Sequence, residues 1–163
     1  KPSVSFVMNM AASAGIWLIS PTKRIVASSP LDRLGSIGVM ASIMDFTRML
    51  KEKFQIDVFE IYASKSSRKN FEMRNLLDSA LTIEERIQPI VNDLDYVNEF
   101  FHQAIRDNLG IKEDSEVFDG GMYNAQRAIE LGLAHEIMSF EDAVSLAHQM
   151  GLTNTINHFL LTN

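Results

Sequence analysis

The chain has 163 residues, 46% hydrophobic and 22% charged, with a formal net charge of −6. That length predicts one domain able to bury about two-thirds of its unfolded surface, and the acidic balance argues against nucleic acid as the main partner. The absence of cysteine removes disulfides, thiolate catalysis and cysteine-ligated metals together, while leaving the compartment open.

Val4 to Met8 reads as a short buried strand, and Ala12 to Ser20 as a helix that opens in a cluster of small residues. The intervening run NMAASAGIW (Asn9 to Trp17) has more Ala, Ser and Gly than a core segment needs. Val7 to Ser20 is the longest mostly apolar stretch, but Asn9 and Ser13 interrupt it and it is shorter than the ~18–20 residues of a spanning helix. No membrane segment is read here. A signal peptide starting at Lys1 is disfavoured as well, because the small residues are followed by more apolar ones.

Arg24 to Ala27 is a second strand, and Gly35-Ser36-Ile37-Gly38 a tight turn. A helix is expected from Ile43 to Phe54, then a strand from Asp57 to Tyr62, then a polar loop from Ser64 to Asn75. Thr82-Ile83-Glu84-Glu85 has the form of a capping box. The helix it opens carries Ile83, Ile87, Ile90, Val91, Leu94, Val97, Phe101, Ala104 and Ile105 at steps of three and four, which predicts one buried stripe, with a bend at Pro89. Asp119-Gly120-Gly121 is a turn, Asn124 caps a short helix to Leu131, and Gly132 ends it. Leu133 to Ile137 reads as a strand and Ser139 as the cap of a helix that Gly151 stops, leaving Thr153 to Asn163 open. Short strands alternating with helices define an α/β fold with a mainly parallel sheet.

In such folds chemistry sits where a strand ends and a helix begins. Ser13 occupies such a junction, where the unpaired N–H groups of a helix start favour negative charge. Its hydroxyl could attack a carbonyl, and the Ala14 N–H could then hold the oxyanion. The same pattern also suits a small-residue helix packed on a sheet with Ser13 as its N-cap, and local sequence alone favours that plainer reading. As for a base, His102, His135, His148 and His158 stand in no recognisable motif, and Asp93 and Asp95 are poorly spaced to support His102. Lys65 and Lys69 remain. A lysine works as a base only when neutral, which burial brings about, and the bland alternative is a solvated basic loop. No residue cluster has metal-ligand spacing, and no phosphate-binding glycine motif is present.

Taken in order, KPSVSFVMNMAASAGIWLIS, IVASSPLDRLGSIGV, SSRKN and DGGMYNAQRAIELGLAHEIMSFEDAV resemble the signal peptide peptidase A family of serine proteases, whose fold is similar to Clp protease and the crotonases. The resemblance puts Ser13 in the nucleophile position of an ASxG pattern. It puts Lys69 of SSRKN in the position of the general base, ahead of Lys65, and gives Ser36 of GSIG a hydroxyl that orients the lysine. His135 stands where the family commonly has Asp. The match covers residues 1–151 as the C-terminal part of a catalytic domain, with 152–163 as a tail. It implies a Clp protease/crotonase-like α/β fold whose first strands, helices and second oxyanion loop lie before this stretch, often behind a membrane anchor.

The implied activity is serine endopeptidase, by a Ser-Lys dyad without cofactor or metal, on signal peptides or phage or membrane-associated polypeptides. The implied setting is a homo-oligomer, bacterial and membrane-associated through an upstream segment, or cytoplasmic if phage-derived. Two other classes share the fold. A crotonase-type acyl-CoA enzyme would need neither Ser13 nor Lys69, and a non-catalytic assembly module would keep the fold alone.

Overall fold

The computed structural model describes residues 2–78 and 80–162. The chain divides into two compact units, Lys1–Val39 with Asn98–Asn163, and Met40–Val97. In chain order the elements are β1 (Val4–Val7), β2 (Met10–Ala12), α1 (Ala14–Ile19), β3 (Arg24–Ala27), β4 (Arg33–Gly35), α2 (Thr47–Phe54) and α3 (Phe71–Leu77). Then come α4 (Ile83–Leu109), a 3-10 turn at Glu116–Asp119, β5 (Met122–Asn124), α5 (Ala125–Glu130), β6 (Glu136–Ile137) and α6 (Phe140–Thr162). The boundary between the units falls inside α4.

The larger unit is α/β with two three-stranded sheets. One, ordered β1-β3-β6, is wholly parallel; the other, β2-β4-β5, pairs β2 with β4 in parallel and β4 with β5 antiparallel. Ile25, Val26 and Ala27 are fully buried, as the central strand of a covered parallel sheet requires. Ile16 of α1 and Phe101 and Ile105 of α4 close the core from the helical side. Trp17 stacks on Phe101 with ring centroids 4.6 Å apart, and Asn108 Nδ2 donates to Ser20 Oγ at 2.8 Å, fixing α1 against the end of α4.

Several expected elements differ. A separate strand, β2, takes Met10 to Ala12, so the helix begins at Ala14, where the backbone turns sharply at Ser13. Only Glu136–Ile137 of the expected Leu133–Ile137 strand pairs, because Leu133 and Ala134 still bond back to the Ala128 carbonyl. Helix α6 runs through Gly151 to Thr162; a glycine lowers helix propensity by about 1 kcal/mol, which a long helix can absorb. The expected helix from Ile43 starts only at Thr47, and α3 occupies part of the expected loop. The ends of the expected segments at Lys1 and Asn163 lie outside the described residues.

In the smaller unit, the expected strand from Asp57 to Tyr62 is absent. The segment is rich in β-branched and aromatic residues, but a ladder needs a second strand, and none pairs with it among the described residues. The capping box opens α4 as the sequence predicts. Thr82 N–H donates to Glu85 Oε2 at 2.8 Å, and Glu85 N–H donates back to Thr82 Oγ1 at 3.2 Å. The apolar stripe of α4, however, is buried only at Phe101 and Ile105; Ile83, Ile87 and Val97 are exposed. Periodicity marks which face is apolar, whereas burial depends on what covers it.

Candidate active site

Ser13 is the N-cap residue of α1, with φ 52° and ψ −124°. Such a shape costs a residue with a β-carbon about 1–3 kcal/mol and persists only where the surroundings impose it. Here the imposing bonds are visible. Ala12 pairs with Gly35 across β2 and β4, and Ser13 N–H donates to the Gly35 carbonyl at 3.0 Å, while Trp17 N–H bonds to the Ser13 carbonyl at 3.2 Å. The chain is thus pinned to a sheet on one side of Ser13 and to a helix on the other.

The Ser13 side chain makes no capping bond to α1 and is exposed. This removes the N-cap role that would otherwise explain a serine there. Ala14, equally exposed, is the first helical residue, whose N–H has no intrahelical acceptor.

Ser36 follows the paired Gly35, one step beyond the register that ends at Ala12 and Gly35. It too has a left-handed backbone, φ 53°, and its N–H donates to the Gly121 carbonyl at 2.7 Å. Gly35 is obligatory there: at φ 133°, a Cβ would lie 2.3 Å from the Gly121 carbonyl oxygen. The GSIG turn and the Asp119-Gly120-Gly121 turn, distant in sequence, are therefore two halves of one structure.

One supporting residue has no motif to announce it. Asp32 is buried and accepts from the backbone N–H groups of Asn9 at 3.0 Å, Ser28 at 2.7 Å and Ser29 at 3.0 Å, and from Ser28 Oγ at 2.8 Å. Burial pushes its carboxyl pKa up, but the bonds from Ser28, Asn9 and Ser29 outweigh it and hold the pKa below the ordinary value. Through Asn9, itself at φ 68°, Asp32 sets the turn that leads into β2 and Ser13. The turn-forming SSPLD sequence was the available signal.

Ser13, Ala14 and Ser36 belong to the larger unit, and Lys69 to the smaller. Lys69 is exposed in a turn just before α3, where its N–H donates to the Ser66 carbonyl at 3.0 Å; Lys65 is exposed in the same loop. Of the histidines, His148 is exposed on α6, and the buried Nε2 of His102 has no hydrogen-bond partner among the described residues. His135 Nδ1 accepts from Ile25 N–H at 3.1 Å, an acceptor role that an Asp would also fill, and the His102 ring packs on Phe118 at 4.7 Å. The side chain of His158 lies outside the described residues. Among the described residues no group of three His, Asp or Glu could hold a metal ion, and no helix is long and apolar enough to cross a membrane.

The chain is therefore an α/β protein that presents a free serine on a strained strand-to-helix turn. Over residues 1–153 it matches peptidase family S49, and it belongs to that family of serine-protease-type hydrolases. It is 28% identical over 150 residues to a candidate protease of Methanocaldococcus jannaschii, covering 92% of this chain and 46% of that protein. It is 28% identical to the probable protease SohB of Haemophilus influenzae, covering 85% of this chain and 37% of that protein. It is also 26% identical to the capsid assembly protease C of Escherichia phage lambda, over 90% of this chain and 32% of that protein. The chain thus spans less than half the length of each of these relatives.

Proposed function

We propose that the chain carries the nucleophile and the base of a serine endopeptidase with a Clp protease/crotonase-like fold, Ser13 and Lys69 forming its dyad. The observation that carries this reading is the backbone of Ser13, held at φ 52° and ψ −124° with its hydroxyl unused by the helix it begins. Strain of this kind concentrates at reacting residues, where a sharp turn lifts the nucleophile clear of the sheet.

In the proposed reaction Ser13 Oγ attacks the peptide carbonyl carbon as its proton passes to neutral Lys69 Nζ. The Ala14 N–H stabilises the oxyanion, and the Ser36 hydroxyl orients the lysine. Collapse breaks the C–N bond, Lys69 returns the proton to the departing amine, and water hydrolyses the acyl-enzyme ester. Ala12, Ala14 and Gly15 leave room for an extended peptide with small side chains near the cleaved bond, while Ala11 packs into the core beneath them. Signal peptides and membrane-associated polypeptides fit that description, and the lambda relative's name favours a phage structural protein. We also assign the whole protein to a homo-oligomer, with any membrane attachment supplied by a segment upstream of residue 1.

Labelling of the full-length protein with a fluorophosphonate tests this. The expected result is one covalent adduct on Ser13, lost in Lys69→Ala. A folded protein that gives neither adduct nor peptide cleavage overturns the reading. Labelling that survives Lys69→Ala but not Lys65→Ala transfers the base to Lys65.

A further inference from the structure

The structure also bears on how a lysine in an exposed loop could be aimed. We propose that Asn70, clamped by Glu60 and Tyr62, is a positioning residue for Lys69; this rests on Lys69 being the base.

Asn70 is the N-cap residue of α3, a place where asparagine ordinarily accepts from the helix's first N–H groups. It makes no such bond. Instead Asn70 Nδ2 donates to Glu60 Oε1 at 3.0 Å and lies 3.4 Å from the Tyr62 hydroxyl. Its backbone is left-handed, φ 56° and ψ 30°, a shape asparagine tolerates better than most residues with a β-carbon. The peptide joining Lys69 to Asn70 is therefore fixed by torsion and by side chain together.

The clamp itself is closed. Glu60 and Tyr62 lie two residues apart, and their side chains meet. The Tyr62 hydroxyl donates to Glu60 Oε2. Arg74 of α3 sits over the Tyr62 ring, 4.7 Å from its centroid, and its Nη2 donates to the Ser67 carbonyl. The loop is thus tied at Ser67 to Arg74 and at Asn70 to Glu60 and Tyr62, Arg74 over the Tyr62 ring joins the two ties, and Lys69 lies between them. Backbone bonds from Lys69 N–H to the Ser66 carbonyl (3.0 Å) and from Phe71 N–H to the Arg68 carbonyl (3.2 Å) complete the turn. A lysine stem is long and rich in rotamers, so the direction of its amine depends on how firmly its own backbone is held.

The test is steady-state kinetics of the full-length protein on a fluorogenic peptide, with the rate of fluorophosphonate labelling, for Asn70→Ala, Asn70→Gly, Tyr62→Phe and Lys69→Ala. Asn70→Ala is expected to lower kcat about 10²-fold with KM unchanged. The rate at which a fluorophosphonate labels Ser13 should fall by a similar factor. Asn70→Gly keeps the left-handed backbone without the carboxamide and should be equally impaired. Tyr62→Phe should shift both readouts the same way but less, and it carries the test if the Asn70 variants do not fold. Wild-type kcat and labelling rate in Asn70→Gly or Tyr62→Phe, beside an inactive Lys69→Ala, overturn the clamp alone. Activity retained by Lys69→Ala overturns the base reading, and the clamp with it.

Discussion

The left-handed backbone of Ser13 has a stability signature separate from any chemistry. Ser13→Ala keeps the β-carbon and hence the strain, whereas Ser13→Gly relieves it. Ser13→Gly should be the more stable of the two by about 1 kcal/mol in urea unfolding, although both lack the hydroxyl. Asp32 makes a pH-dependent contribution. Its carboxyl pKa is lower in the folded chain than the ordinary value of 3.8, so its stabilisation is present above about pH 4 and is lost as pH falls through the folded value. Asp32→Asn should destabilise by about 2 kcal/mol at neutral pH, since the three backbone donors lose a shared carboxylate. The gap to wild type should narrow on acidification. The place of Ser13 was legible because small residues break an apolar run. Its torsion was not legible, because Gly35 and its partner Gly121 impose it from distant parts of the chain.

At the scale of elements, the meeting of the two glycine turns is the most exacting contact. Gly35→Ala would bring a methyl group within 2.3 Å of the Gly121 carbonyl oxygen at a φ of 133°. A loss of about 3 kcal/mol or more is expected in thermal or urea unfolding, together with loss of any Ser13 labelling. Capping signals were the most legible features. Thr82 with Glu85, Asn124 and Ser139 all bond as their spacing predicts, since each bond is closed within one turn of chain. Strand lengths were less legible, because pairing is decided by a neighbour elsewhere in the sequence. β6 shortens for that reason, and β2 appears because β4 lies beside it.

At the scale of the molecule, the smaller unit has an unusual balance: none of its described residues is buried. Phe59 is 83% exposed and Ile61 93%, while Glu60 and Tyr62 are engaged with Asn70. Exposed apolar residues in a segment with no paired strand among the described residues leave a place for a strand from another chain. If a second copy supplies it, light scattering of the full-length protein should give a mass above the monomer's, and Phe59→Asp with Ile61→Lys should reduce it. A monomer at micromolar concentration in the wild type would contradict that assembly. The residue pattern here pointed to a strand that the described structure does not show. What the pattern lacks is any information about a partner.

The bond from Ser36 N–H to the Gly121 carbonyl also sets a timetable. Ser13 leaves the ribosome well before β5 and the glycine turn that precedes it, since chains are made at about 5–20 residues per second. Until they arrive, β4 lacks its antiparallel neighbour and the Ser36 backbone has no acceptor. A nascent chain therefore passes several seconds with its serine synthesised but its seat unbuilt. The backbone seat of Ser13 is thus completed only once β5 and its glycine turn have been made.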